Sequence, residues 1–180
     1  MMVKTIFCGF GGQGVMMMGY TLASGGMNAG FNVTYLPAYG AEVRGGTANC
    51  TVCVSDEEIA SPIASNPENI VALNTPSLLA FQNRTATGGA IFLNSSIISI
   101  EPSRHDVRVY KIPTAELADQ LGDKRMANTV MMGALMKATG LVPPDIFLKS
   151  IEAVMGSKKK EVVAMNRRAF EIGYDFLQQE

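Results

Sequence analysis

A glycine-rich segment near the start of the chain has residue types that suit anion binding. Residues 9–14 (sequence GFGGQG) lie between an apolar run, residues 3–8, and a longer run, residues 15–29. The first run is typical of a short buried strand, and the second predicts a helix. A glycine loop in this position presents free backbone N–H groups at the positive end of the helix dipole. The candidates for contact with a phosphate, a carboxylate or another subunit are Gly11, Gly12, Gln13 and Gly14. The predicted helix has on one face, or beside it, Val15, Met18, Leu22, Ala23 and Met27.

The same loop satisfies the spacing G-x-G-x-x-G through Gly9, Gly11 and Gly14. A dinucleotide site also needs an acidic residue about 20 positions later, at the end of the second strand, to bind the ribose. The second predicted strand, residues 31–36, has no acid, and the first one in the chain is Glu42. The loop also lacks the Gly-Lys-Ser/Thr ending of a nucleoside-triphosphate site. Two interpretations stay open, a tight turn that needs glycine and a site for an anion or a partner, while a stand-alone nucleotide-binding domain is disfavoured.

A second glycine-rich segment contains two opposite charges. Residues 37–46 include Glu42 and Arg44, followed directly by Gly45 and Gly46. An arginine between glycine segments can present its planar guanidinium to a carboxylate or a phosphate. The alternative is an internal pair with Glu42, which contributes only ~0–1 kcal/mol when it is exposed. We favour a binding role, because the two glycines allow a ligand to approach the cation closely.

The remaining residues with ligating side chains do not form a set. Cys50 and Cys53 lie three positions apart on a predicted strand, so their thiols point to opposite faces and cannot bind one metal ion. We therefore expect buried cysteines, no metal site and no iron–sulfur cluster in this chain. His105 is the only histidine and is expected in a loop. The lysines at 158–160 begin the last predicted helix, where they either bind a phosphate or form solvated surface, and lysine runs usually do the latter.

The elements around these residues alternate between strand and helix. Strands are predicted at residues 3–8, 31–36, 47–54, 70–73, 90–93 and 107–112. Helices are predicted at residues 15–29, from an N-cap at Thr75 to a stop at Gly88, at residues 127–139 with Gly140 as C-cap, from residue 143, and from a cap at Ser157. This order favours an α/β fold, a layered and mostly parallel sheet flanked by helices, with a helical C-terminal third. We expect one domain covering residues 1–180.

Composition restricts the function classes. The 180 residues are 47% hydrophobic and 17% charged, with a formal net charge of −1. Nucleic acids and anionic membranes call for a basic excess, so neither is expected as a partner. No apolar run reaches the ~20 residues of a membrane span, no secretory signal is apparent, and an odd number of cysteines favours the cytoplasm. A chain with so few charged residues has little polar material to cover its surface. We therefore expect a subunit that buries part of this surface against other chains.

Several motifs together resemble one protein family. Residues 9–14, residues 39–50 (sequence YGAEVRGGTANC) and the pair Ser61-Pro62 resemble the gamma subunit of 2-oxoacid:ferredoxin oxidoreductases. Later segments agree in place and order, namely Asn74 before the Pro76 helix and residues 94–96, 128–134 and 166–170. The resemblance covers nearly the whole chain.

The resemblance implies a subunit of an enzyme that oxidatively decarboxylates a 2-oxoacid. In this family, thiamine diphosphate binds between the alpha and beta subunits, with Mg²⁺ also implied for the complex. The acyl group goes to coenzyme A, and electrons pass through [4Fe–4S] clusters on the beta subunit and a small ferredoxin-like subunit to ferredoxin. The chain itself is implied to bind no cofactor alone and to be inactive in isolation.

Residues 44–49 (sequence RGGTAN) are more similar to the 2-oxoglutarate and 2-oxoisovalerate enzymes than to the pyruvate enzymes. The small subunit of the indolepyruvate enzyme is an alternative. Our hypothesis is that the chain covers the alpha–beta core and brings its glycine loop, with Arg44, to the region where coenzyme A approaches. The competing hypothesis is a non-catalytic assembly subunit whose loops only contact the other subunits.

Overall fold

All six predicted strands are present in the structure, a computed structural model that describes residues 1–39, 47–155 and 160–177. The second strand continues beyond its predicted end at residue 36 to Tyr39. The strands are β1 (Met2–Phe10), β2 (Asn32–Tyr39), β3 (Thr47–Ser55), β4 (Asn69–Ala72), β5 (Ala90–Asn94) and β6 (Arg108–Ile112).

The strands form one mixed sheet in the order β2-β3-β1-β4-β5-β6. β1, β4, β5 and β6 pair with one another in parallel, whereas β3 is antiparallel to both β1 and β2. Of the described strands, five therefore point the same way and β3 alone is reversed. The prediction of a mostly parallel sheet is confirmed, and the reversal of β3 adds a feature that the sequence analysis did not predict.

The helical C-terminal third is also confirmed. Gly140 ends the fourth helix in the left-handed conformation, with φ 59°, as its predicted role requires. Short 3₁₀ turns cover Gln82–Arg84 and Lys124–Met126. The α-helices are α1 (Val15–Asn28), α2 (Thr75–Phe81), α3 (Thr114–Asp119), α4 (Ala127–Thr139), α5 (Pro144–Met155) and α6 (Lys160–Phe176).

The helix α2 differs from its prediction at both ends. Its N-cap is Asn74 rather than Thr75, because Asn74 is extended and its side-chain oxygen accepts a hydrogen bond from the Ser77 N–H at 2.9 Å. The helix ends at Phe81 instead of Gly88, and the 3₁₀ turn follows it directly. The cap predicted at Ser157 lies outside the described residues.

One residue near the predicted apolar face of α1 does not pack with it. Met27 is predicted beside that face, but it projects into solvent. Gly25 and Gly26 take the buried positions of that turn, and a Cβ on Gly26 would lie 2.9 Å from a methyl group of Val33. The sheet therefore approaches the helix backbone directly on that side.

Most helices pack on one face of the sheet. The core there contains Phe7, Phe92 and Leu22, and the rings of Phe147 on α5 and Phe170 on α6 stack at 5.5 Å. The other face is covered by α2, whose Leu78 contacts the buried side chains of β1, β4 and β5. Because α1 and α2 pack on opposite faces, they diverge from the adjacent ends of β1 and β4. Among the described helices, none combines the length and the hydropathy required to cross a bilayer.

Candidate functional site

The predicted glycine loop connects β1 to α1 and is closed by its own glutamine. Gly12 and Gly14 have φ values of 95° and 80°, which only glycine adopts without strain. The N–H of Gln13 donates to the carbonyl of Phe10 at 3.1 Å. In return, the Gln13 side-chain oxygen accepts from the Phe10 N–H at 2.7 Å. Gln13 therefore acts as an internal brace of the loop.

Asn74, which follows the end of β4, forms a hydrogen bond with the side chain of Gln13. Its Nδ2 donates to Gln13 Oε1 at 2.7 Å, while its oxygen caps α2. Gln13 Nε2 also lies 3.4 Å from the carbonyl of Leu73. These bonds span the crevice between the carboxyl ends of β1 and β4, the position where open α/β sheets usually bind ligands. Because the amides of Gln13 and Asn74 bond to each other across this crevice, the geometry opposes the interpretation as a stand-alone nucleotide-binding domain.

Asn128, at the start of α4, braces the loop from a third direction. Its Nδ2 donates to the backbone carbonyl of Gln13 at 2.8 Å. A Cβ on Gly14 would overlap this amide, so the third glycine of the motif is needed for packing as well as for conformation. The next residue, Thr129, donates from its hydroxyl to the buried Asn166 of α6 at 2.8 Å. A line of polar contacts thus joins the glycine loop to α4 and α6.

Asn74 and Asn128 belong to the motifs that carry the family resemblance, but the sequence alone does not predict a role in the loop for either residue. The local signal for Asn74 was its place directly before a helix that begins with proline. No local signal marks the contact of Asn128, because its partner Gln13 is 115 residues away in the sequence.

Among the residues that the structure describes, none caps the start of α1 with its side chain. Beside it lies a shallow cavity of about 240 Å³, lined by loop residues, by the first turn of α1, and by Tyr39 and Ala48 of the adjacent strands. The lining residues that the structure describes are uncharged. Among the described parts of this cavity, the helix dipole is therefore the main electrostatic feature, and it favours an anion or a carbonyl oxygen.

A larger cleft of about 450 Å³ opens on the other side of Gly14, between the starts of α4 and α6. Amide and methionine side chains form much of its wall, including Asn128 and Met165. The Arg125 guanidinium bonds both oxygens of Asp123 and holds the pKa of that carboxyl below its usual range. Because Asp123 pairs with the cation, Arg125 adds little net charge to the cleft. The sequence analysis did not identify this cleft.

The structure describes only the flanks of the second predicted motif. Glu42, Arg44, Gly45 and Gly46 lie outside the described residues, and so do Lys158 and Lys159. The residues that flank the motif are described: Thr47 pairs with Phe10, and Tyr39 pairs with Ala48. The flanks of the second motif therefore lie at the same sheet edge as the glycine loop. Lys160 begins α6 and is exposed.

The cysteines are buried thiols that point apart. The Cys50 sulfur lies 3.4 Å from the carbonyl of Val15, and the Cys53 sulfur lies 3.6 Å from that of Pro62. Burial raises the pKa of Cys50 to about 12 and also raises the pKa of Cys8. The predicted divergence of Cys50 and Cys53 is confirmed, so this pair does not fit a metal cluster. Within residues 1–39, 47–155 and 160–177, no three Cys, His, Asp or Glu side chains are grouped to hold a metal ion.

The fold and the site define an α/β protein with helices on both faces of a mixed sheet and a glycine loop closed by amide side chains. Residues 4–176 match the family model described as pyruvate ferredoxin/flavodoxin oxidoreductase. The chain therefore belongs to the pyruvate ferredoxin/flavodoxin oxidoreductase family. The resemblance inferred from its motifs is confirmed.

Two relatives place the chain within this family, and one solved structure shares its fold. It is 41% identical over 176 residues to ketoisovalerate oxidoreductase subunit VorA of Methanothermobacter thermautotrophicus, covering 97% of this chain and 36% of that protein. It is 30% identical to 2-oxoglutarate synthase subunit KorC of the same organism, covering 94% and 92%. The chain thus spans about a third of the length of the VorA relatives that it matches. The keto/oxoacid ferredoxin oxidoreductase gamma subunit of Geobacter sulfurreducens shares the fold, with a TM-score of 0.85, 23% identity and 99% coverage of both chains.

Proposed function

We propose that the chain is a gamma-type subunit of a 2-oxoacid:ferredoxin oxidoreductase that acts on a branched-chain 2-oxoacid, with 2-oxoglutarate as the second candidate substrate. The observation that supports this most directly is the 41% identity with the ketoisovalerate oxidoreductase subunit, against 30% with the 2-oxoglutarate synthase subunit. The complete enzyme decarboxylates the 2-oxoacid, transfers the acyl group to coenzyme A and passes the electrons to ferredoxin.

On this proposal the redox and carbanion chemistry takes place on other subunits. Thiamine diphosphate and Mg²⁺ are assigned to the alpha and beta subunits, and the [4Fe–4S] clusters to the beta and small ferredoxin-like subunits. The diverging thiols of Cys50 and Cys53 support a chain without a cluster of its own. Three free buried thiols also suit the cytoplasm, where thiols stay reduced.

The proposed role of the chain is to present its two glycine-rich motifs where coenzyme A approaches the catalytic core. Tyr39 and Thr47, which flank the motif of Arg44, lie at the same sheet edge as the glycine loop. The uncapped start of α1 supports contact with a phosphate group of coenzyme A, since helix N-termini favour anions. Arg44 adds a cation whose geometry suits phosphate.

The proposal is tested by purifying the chain together with its partners under anaerobic conditions. Coenzyme A-dependent dye reduction is then measured with 2-oxoisovalerate, 2-oxoglutarate, pyruvate and indolepyruvate. We expect the highest kcat/KM with the branched-chain acid. A preference for indolepyruvate would assign the chain to that enzyme instead, and a chain that purifies without any 2-oxoacid-dependent activity contradicts the proposal.

The role of Arg44 is tested separately in the assembled enzyme. Arg44→Ala is expected to raise the KM for coenzyme A by about tenfold or more, because a charge-assisted contact contributes roughly 1.5–3 kcal/mol. The control is Arg168→Ala, which removes an exposed arginine from α6. Unchanged KM and turnover in Arg44→Ala would exclude the contact with coenzyme A.

A purely structural role in assembly is the second candidate. It is favoured by the internal use of Gln13, whose bonds leave the loop with backbone and apolar surface rather than reactive side chains. On this alternative, Gly12→Val lowers the yield of complex, while each complex that forms keeps the wild-type turnover and KM. The proposed coenzyme A role instead predicts altered kinetics in the complexes that form.

A further inference from the structure

The chain segment that contains α1 and β2 exposes large side chains but carries no charged residue. From Thr5 to Ala41 the sequence contains no Asp, Glu, Lys, Arg or His. Three large side chains nevertheless project from α1 into solvent, Met17 at 51%, Tyr20 at 55% and Met27 at 65% exposure, and Tyr39 at the end of β2 is 73% exposed. We refer to these four residues as the uncharged face.

The uncharged face combines side chains that project from α1 with the cavity beside the glycine loop. Met17, Tyr20 and Met27 follow one another at helical spacing along α1. The Tyr20 ring meets Tyr35 of β2 edge-on, with the ring centroids 6.1 Å apart, so helix and strand form one surface. Met17 and Tyr39 both line the cavity of about 240 Å³ beside the glycine loop. Such a relief suits complementary side chains from another polypeptide.

The exposed side of α6 has the opposite composition. Glu161, Arg167, Arg168 and Glu171 are all exposed there, as expected for a helix that faces water. Depletion of charge together with exposed Met and Tyr is instead typical of the buried centre of a protein–protein interface. The difference between α1 and α6 shows that the lack of charge on the uncharged face is not a general property of the exposed helices.

We infer that the uncharged face docks against the catalytic polypeptide of the same enzyme, through a partner surface that is itself apolar and free of charged side chains. This inference rests on the proposed function. The chemistry of the partner follows from charge complementarity, because a charge placed against Met17, Tyr20 and Met27 would lose its hydration without gaining an opposite charge.

Two observations favour the catalytic polypeptide over a second copy of this chain. The region matched by this chain is 36% of the VorA relative but 92% of the KorC relative, so it occurs both within a longer chain and nearly alone. In the second case its contacts with the rest of an enzyme must be non-covalent. The uncharged face also reaches the candidate site, because Met17 lines both the cavity at the glycine loop and the cleft beside Gly14.

The test introduces a charge into the uncharged face of the co-expressed complex. Tyr20→Lys and Met27→Lys are compared with Leu79→Lys, a control at a residue of α2 that is 54% exposed on the other side of the sheet. Co-purification is measured as the ratio of the thiamine diphosphate-binding polypeptide to this chain. Thermal unfolding of each isolated variant verifies that it folds, which we expect because all three positions are exposed.

We expect Tyr20→Lys and Met27→Lys to lower the recovered ratio at least tenfold, and Leu79→Lys to leave it unchanged. Wild-type recovery in both variants overturns the inference, although the proposed function stands if the complex is active. A dimer of the isolated chain that dissociates in the two variants, with enzyme assembly intact, assigns the face to a second copy and also overturns the inference. A wild-type chain without a 2-oxoacid-oxidising partner contradicts the proposed function itself.

Discussion

At the scale of single residues, Gln13 accounts for the discrepancy between the glycine motif and a nucleotide site. Its side-chain oxygen accepts from both the Phe10 N–H and Asn74 Nδ2, so it has no role left toward a ligand. The spacing of Gly9, Gly11 and Gly14 meets the dinucleotide pattern. Within the loop, Gly12 and Gly14 have positive φ, so the turn from β1 into α1 needs these two glycines whether or not an anion binds.

Gly12 allows the conformation of the loop to be separated from its contacts. Gly12 has φ 95° and a Cβ on it would meet no atom of the described residues within 4 Å, so Gly12→Ala introduces backbone strain without a clash among them. Gly30 has φ 87° and equally open surroundings, which makes Gly30→Ala a matched control. We expect both to lower the free energy of unfolding by about 1–2 kcal/mol in urea titrations. Only Gly12→Ala is expected to alter assembly or the KM for coenzyme A, and equal effects of the two variants would argue against a functional loop.

Because of the buried thiols, we expect the free energy of unfolding to depend on pH in the alkaline range. Burial raises the pKa of Cys50 to about 12, well above its unfolded value of about 8.5. A raised pKa in the folded state means that the stabilisation is complete below pH ~8.5 and is lost as the pH rises toward the folded value. We expect the free energy of unfolding to fall between pH 8 and pH 10, and to fall less steeply in Cys50→Ala. Equal slopes for the two proteins would show that this thiol does not titrate on unfolding.

At the scale of elements, sequence patterns predict the helices and strands whose limits are set by neighbouring residues. Residues 127–139 coincide with α4 because an apolar stripe ends at a glycine, and the strands were found because short apolar runs end at glycine or polar breaks. The cap of α2 was misplaced by one residue, since Asn74 and Thr75 have equally suitable side chains and only the backbone decides between them. The reversal of β3 was not predicted, because its residues are buried on both faces like those of a parallel strand.

The contact between α4 and α6 depends on two glycines. A Cβ on Gly133 would overlap the carbonyl of Phe170, and one on Gly173 would overlap that of Val130. Alanine adds about 1 kcal/mol of helix propensity, but overpacking against backbone atoms costs about 1–3 kcal/mol or more because they cannot move aside. We therefore expect Gly133→Ala and Gly173→Ala each to lower the free energy of unfolding, and the double variant to unfold far more readily.

Chemical denaturation of the isolated chain measures this effect. Ala164→Ser, at an exposed position of α6, serves as the control and should stay within about 0.5 kcal/mol of the wild type. A Gly133→Ala variant with a higher free energy of unfolding than the wild type would show that α4 and α6 can move apart without a loss of stability. That result would contradict the dependence of their contact on glycine.

At the scale of the whole molecule, the site depends on contacts that no local pattern encodes. Gln13 meets Asn74 and Asn128 across 61 and 115 residues of sequence, so only the folded sheet brings these amides together. The sequence did place the two glycine-rich motifs at the ends of strands. Their common edge became evident only from the pairing of Thr47 with Phe10.

The hydrogen bonds across the crevice predict that the isolated chain does not bind nucleotides. Asn74 and Gln13 bond to each other between the ends of β1 and β4, the position where open α/β sheets bind dinucleotides. Calorimetric titration with NAD⁺ or ATP is expected to give no saturable binding, with any Kd above about 1 mM. Saturation with a Kd of about 100 µM or below would show that the amides can be displaced.

The reversed β3 has a consequence for the order in which the nascent chain folds. Once Ser55 has left the ribosome, β1, α1, β2 and β3 are all complete, and β1 can pair with β3 along its whole length. At about 5–20 residues per second, this half of the sheet is available about a second or more before β4 leaves the ribosome in its turn. We expect a three-stranded unit to form first during translation. The free edge of β1 then serves as the template on which β4, β5 and β6 are added.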